Sequence, residues 1–401
     1  MVSPTISSGG GCTPRSSGGS RFWSRLMLGI TFGRSELPRN SLYFVNWWFD
    51  AMIVGGISIL VWAGLSIFDR GINIETIFYF AIIASIFINF PHFSATVYRL
   101  YQNSANVRQF PVTAFVLPLV ILGAVIGSLW QPEVIAPSFL LIYFLWSPYH
   151  YCGQTVGLTL IYAKRSGFII GPRERLALSG FIFSAFVYGF TRAAPTGANF
   201  YGMTLPTLAV PDWVSGAALA ATCAGTLFFA SVVISWCIAQ KRLLPPIVLV
   251  PAAAHLVWFV AAANAKVFLA LVPLFHSLQY LLIAAVMQLQ LRIGGRGGEH
   301  SWRSIKIEVF RWGLRNIFGG AILFIGLPVL LSWLPIPFLT IAGVIAVAVN
   351  IHHFFVDGVI WKLRDPATSA ALMMNIRELG GAAFVGQTDT EIVGASSAHS
   401  P

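Results

Sequence analysis

Charge is what this sequence has least of: Asp, Glu, Lys and Arg make up 10% of its 401 residues, against roughly a quarter in an ordinary soluble domain. That shortage excludes a water-soluble globular chain. Cysteine is also sparse. The four present, Cys12, Cys152, Cys223 and Cys237, form no CxxC pair, which argues against a disulfide framework or zinc-finger spacing. Three of them fall inside apolar runs and read as buried thiols. There is no glycine-rich phosphate loop, no repeat of fixed period and no second soluble domain.

What the chain does have is apolar length. It is 56% hydrophobic, and its hydropathy resolves about ten runs, each near the roughly 20 residues that a bilayer-crossing helix needs. They lie near 45–68, 75–98, 112–131, 134–162, 176–196, 214–239, 243–264, 267–290, 313–334 and 337–361. The expected fold is an all-α, polytopic membrane helix bundle of about ten transmembrane helices. Residues 1–41 comprise a leader, Ser/Gly/Pro-rich over 1–20 and unable to order itself there, and an interfacial stretch at 22–33; 42–364 is the bundle and 365–401 a cytoplasmic tail with a short helix around 368–379.

The formal net charge is +11, but its placement is that of topology. All cations except Arg70, Arg192 and Lys266 fall on one side of a ten-helix arrangement, so the positive-inside rule puts both termini in the cytoplasm. Contact with membrane lipids accounts for the excess, and nucleic acid is not an expected partner. Multi-pass insertion in a bacterial inner membrane is the expected location; the sequence is silent on oligomeric state.

Ionisable groups at membrane depth are costly and mark functional paths. Of eight histidines, His300 and His399 fall in a basic loop and the tail, where water reaches them. His92, His150, His255, His276, His352 and His353 lie in five apolar runs. Residues three or four apart share a helix face, and on that spacing four of these have polar companions: Asn89 and Thr96 flank His92, Ser147 and Gln154 flank His150, Gln279 and Tyr280 follow His276, and Asn350 and Asp357 bracket His353. A metal-bound histidine needs such a partner to hold its tautomer. His255, in "PAAAHLVWF", has no polar stripe and reads as packing. The competing reading for the rest is hydrogen bonding between helices.

Imidazole donors suit iron, copper or zinc rather than magnesium or calcium. The HxxxH and HxxHH boxes of membrane desaturases are missing, and no run places two histidines two to four turns apart as a bis-histidine haem bundle would. The expected site takes His92, His150, His276 and His353 as ligands, with His352 as an alternate. Asp357 is an orienting carboxylate, and Tyr280 and Gln154 are supporting polar groups. Iron, or another transition metal, held this way fits redox chemistry on an apolar, lipid-like substrate.

Two stretches carry a family likeness. "SPYHYCGQT", Ser147 to Thr155, and "FPHFSAT", Phe90 to Thr96, resemble the histidine helices of the bacterial Brp/Blh-type membrane β-carotene dioxygenases. The resemblance implies a non-haem iron that cleaves a carotenoid, with ligand roles for His92 and His150 and, by position, for His276 and His353. The family's aspartate after each early histidine is absent here, and Cys152 precedes Gly153. Two other classes remain open: a proton-coupled transporter, in which the histidines relay protons, and a non-catalytic subunit of a membrane complex.

Overall fold

A computed structural model describes residues 42–68, 73–193, 199–205, 208, 210–294, 301–361, 366–373 and 375–379. The leader with its interfacial stretch, Cys12, His300, His399, Lys362, Arg364 and the end of the tail lie outside the described residues.

The fold is an all-α polytopic bundle. Its helices are α1 (Trp47–Ile67), α2 (Glu75–Tyr101), α3 (Val112–Trp130), α4 (Ile135–Arg165), α5 (Pro172–Ala193), α6 (Asp212–Gln240), α7 (Val250–Ala261), α8 (Val267–Arg292), α9 (Trp302–Leu330) and α10 (Phe338–Ile360). Among the described residues, seven of these, α1 to α3, α6 and α8 to α10, are both long and apolar enough to cross a membrane. The only strands among them are β1 (Asn199–Phe200) and β2 (Met203–Thr204), a two-stranded antiparallel turn between α5 and α6. α8 and α10 are the buried helices, with about two thirds or more of their apolar window inside the protein, whereas α3, α6 and α9 present most of theirs outward. That contrast sets the site's location: the outer helices supply a lipid-facing jacket, and α8 and α10 form the axis.

Three boundaries differ from the hydropathy reading. α9 begins at Trp302 rather than near 313, so Arg303, Lys306, Arg311 and Arg315 ride on the helix instead of in a loop. Ser301 caps it by accepting from the Ser304 N–H at 3.3 Å, and long cationic side chains on a helix end can reach the interface while their stems cover apolar surface. The run at 243–264 splits into a 3₁₀ turn at Pro246–Val248 and the short α7, because prolines at 245, 246 and 251 interrupt its first half. The single tail helix becomes two short pieces, Pro366–Leu372 and Ile376–Leu379.

Cation-bearing segments meet at one end of the bundle. Arg242 donates to the Ser166 carbonyl, Lys164 to Ser369 Oγ at 2.7 Å, and Arg292 and Arg315 to the Tyr98 hydroxyl at 3.1 and 3.3 Å. The Arg99 guanidinium stacks 4.1 Å from the Trp361 ring. Buried Arg165 binds the Leu42, Tyr43 and Leu372 carbonyls, joining both ends of the described chain. At the opposite end Arg192 pairs with Asn264.

Two devices bring the polar helices together. α2 breaks at Ile88, whose φ of −122° leaves the helical region; Pro91 begins the next turn, where its ring would clash with the carbonyl four residues back. α9 then packs flush against this break. A Cβ on Gly320 would meet the Phe90 carbonyl carbon at 2.5 Å, so only glycine admits the approach. The result aims His92 inward.

Of the cysteines, Cys152 is buried as expected. Cys223 is not: it lies on the outward face of α6, so the apolar medium around it is the bilayer rather than the core.

Candidate metal centre

Four helices deliver one imidazole each to a common point. His92 comes from α2, His150 from α4, His276 from α8 and His353 from α10. Ring centroids are 4.2 Å apart for His92 and His353, 4.8 Å for His150 and His353, and 5.0 Å for His276 with either His92 or His150. His92, His276 and His353 are all at least 98% buried. Each helix has its own local reason for presenting its ring. Pro91 and Pro148 sit one and two residues ahead of His92 and His150, and Pro273 precedes His276 by three, so three of the four rings follow a point where a proline reshapes the helix.

The nitrogens face one another. His353 Nε2 lies 2.9 Å from His92 Nε2, 3.1 Å from His150 Nε2 and 3.3 Å from Asp357 Oδ2. Behind the rings, the other nitrogens are held. His92 Nδ1 is 2.9 Å from Ser277 Oγ, whose single proton is taken by the Pro273 carbonyl at 2.7 Å or by Asn89 Oδ1 at 2.8 Å. Ser277 therefore accepts from His92 Nδ1–H, and His92 Nε2 turns a lone pair towards the cluster. Thr96 Oγ1 sits 2.8 Å from His353 Nδ1 and also touches the Tyr280 hydroxyl at 2.5 Å. Since both outer nitrogens are engaged, Nε2 is the atom that each of these rings offers inward.

His276 is the anomaly. Both of its ring nitrogens are buried and neither has a hydrogen-bond partner among the described residues. Leaving such a group unsatisfied costs about 1–3 kcal/mol, and the ring is wedged between His92, His150 and Tyr151, whose centroid is 4.3 Å away. A cation is the occupant that would relieve both features at once. Imidazoles bound at about 2.0–2.1 Å to one ion bring their nitrogens to roughly 3 Å of each other, which is the spacing of His353 Nε2 from the Nε2 atoms of His92 and His150. Two sets of ligand atoms, His92, His276 and His353, and His150, His353 and Asp357, each lie within 4.8 Å. They share His353, so the two sets adjoin.

The expected supporting residues are all at hand, in altered roles. Gln154 reaches back from α4 to bind the His276 carbonyl at 3.0 Å and Gln279 Oε1 at 2.9 Å, and Gln279 in turn donates to the Val54 carbonyl. That carbonyl lies in a π turn, Met52–Gly56, where the wider turn re-routes backbone hydrogen bonds. Asp357 was expected to orient His353. Instead its Oδ2 faces the same Nε2 as the other donors, 3.3 Å from His353 and 3.6 Å from His150, while Oδ1 accepts from Trp361 Nε1 at 3.1 Å. The orienting position belongs to Thr96. His352 stands apart from both donor sets, because adjacent residues point about 100° apart around a helix.

Ser277 and Trp361 were missed by the sequence reading. Ser277 follows His276 directly, so it shares no face with it; it serves His92 on another helix. Trp361 lies four residues from Asp357, a spacing that was available to find it.

A cavity of about 310 Å³ opens beside the cluster, with His150, Asp357 and Tyr280 at its polar end and Trp146, Leu158, Ile161, Ile283, Phe354 and Leu372 among its apolar walls. Its size lies at the low end of that usual for small-molecule sites.

Compared with known proteins, the chain matches no family model, no curated protein and no solved structure.

Proposed function

We propose that the protein is an integral membrane metalloenzyme, a non-haem iron redox enzyme acting on a carotenoid or another lipid, embedded in a bacterial inner membrane with its cation-rich end in the cytoplasm. The observation that carries this reading is the pair of orphaned nitrogens on His276, set among inward-facing Nε2 atoms. The donor set fits such an ion: four neutral imidazoles with one carboxylate suit iron, and equally admit another transition metal. His92, His150, His276 and His353 hold it, with Asp357 as a fifth donor or as the holder of a proton at Oδ2. Iron bound here supplies redox chemistry with oxygen.

The remaining tasks fall to the chain. Ser277 and Thr96 hold the His92 and His353 rings in register. Asp357 and the Tyr280 hydroxyl, both of which line the cavity, are positioned to take or return a proton at the substrate. The aromatic and aliphatic walls exclude water and accept an apolar molecule. The likeness of the Phe90–Thr96 and Ser147–Thr155 stretches to membrane β-carotene dioxygenases agrees with this assignment for His92 and His150.

Metal analysis of the purified protein tests it. Stoichiometric iron is expected, and it should vanish in the His150→Ala/His353→Ala double variant. Metal-free wild-type protein that moves a solute together with protons would overturn the enzyme in favour of a carrier.

A further inference from the structure

The cavity has a feature that metal binding does not require. Its α4 wall is a single helical face on which Trp146, His150, Gly153, Gly157 and Ile161 recur at intervals of three or four residues. From His150 to Ile161 this face runs about 16 Å. Gly153 and Gly157 have the spacing that ordinarily lets two membrane helices pack closely, yet no neighbour among the described residues uses it: a Cβ built on either residue meets nothing within 4 Å, and the same holds for Gly358 on α10. All three line the cavity, and Gly153 and Gly358 are exposed. In helices immersed in a bilayer, an exposed residue without a side chain leaves a gap in the wall that faces acyl chains, not water.

We propose that the slot between α4 and α10 is a lateral portal, through which one uncharged hydrocarbon arm of a lipid, isoprenoid or acyl, passes from the bilayer and lies along the Gly153–Gly157 face with its reactive end at His150 and Asp357. Two observations support it. Among the described residues that line the cavity none is Lys or Arg, so its described walls favour a neutral chain over an anionic head group. The volume of about 310 Å³ is at the low end for a small-molecule site; one segment of a long lipid is enclosed, and the rest must remain outside through an opening. The identity of the reacting end rests on the function proposed above; the binding of the arm does not.

The experiment uses the full chain in lipid nanodiscs and a neutral isoprenoid alcohol carrying a photoreactive diazirine, with labelled peptides mapped by mass spectrometry and iron measured on the same samples. Labelling is expected to concentrate on residues 146–161 and 354–361. It should fall to background in Gly157→Phe and in Gly358→Phe, which close the slot from opposite helices, and persist in Gly157→Ala, whose added methyl meets open space. Labelling unchanged in both Phe variants, or spread evenly over lipid-facing α3 and α6, would overturn the portal, as would crosslinks to a second copy of the chain through this face. Labelled protein without iron sinks the metalloenzyme alone; iron-bearing protein without slot labelling sinks the portal alone.

Discussion

Two buried imidazoles on neighbouring helices, His255 on α7 and His276 on α8, are equally hidden from solvent and differ in kind in their bonding. His255 Nε2 is 3.0 Å from the Ile182 carbonyl and its Nδ1 is 3.2 Å from Thr155 Oγ1, with Cys152 Sγ at 3.8 Å. Every polar atom of that ring is accounted for, and its role is to tie α7 to α4 and α5. His276 satisfies neither nitrogen and stands among three other rings. Burial therefore does not tell these two rings apart; unmet bonding capacity does.

The sharpest way to break that comparison is to replace both rings by leucine. His276→Leu is expected to abolish metal binding while leaving the metal-free protein as stable as before or more so, since it removes two unpaired buried nitrogens. His255→Leu is expected to keep the metal and to cost about 1–3 kcal/mol, because the Ile182 carbonyl and Thr155 lose their partner. Metal analysis together with thermal unfolding of the metal-free forms reads both; equal destabilisation by the two changes would erase the distinction.

A smaller effect is expected one bond further out. Thr96→Val removes the group behind His353 Nδ1 and should weaken metal affinity by about 10–100-fold. Thr155→Val, its counterpart behind His255, should cost about 1 kcal/mol in stability and leave affinity untouched. Competition with a chelator of known strength measures the first. Least of all is expected from His352→Ala, which should leave metal content at the wild-type level, since that ring belongs to neither donor set; loss of metal there would mean that α10 presents its other face.

Much of this site was legible along the chain. Polar residues at helical spacing singled out His92, His150, His276 and His353, and the lack of such a stripe set His255 aside. Helix positions followed from hydropathy wherever apolar runs were unbroken. The failures came where the signal was spread over two helices or hidden by a side chain's length. The start of α9 was missed because arginines that reach past the helix end look like a loop when read one residue at a time. Ser277 was missed because its partner, His92, is 185 positions away. Asp357 was assigned to the correct helix face, yet four-residue spacing cannot tell which nitrogen of His353 it meets.

By itself, the order of residues determined a membrane bundle and the turns on which ionisable groups sit, because the exclusion of charge from hydrocarbon and the 3.6-residue repeat act locally. Only the packing of α2, α4, α8 and α10 around one another decided that four rings share a centre, which nitrogens turn inward, and which buried histidine goes unpaired. Those outcomes depend on crossing angles and close approaches between distant segments, and such contacts leave no trace in the spacing along any one helix.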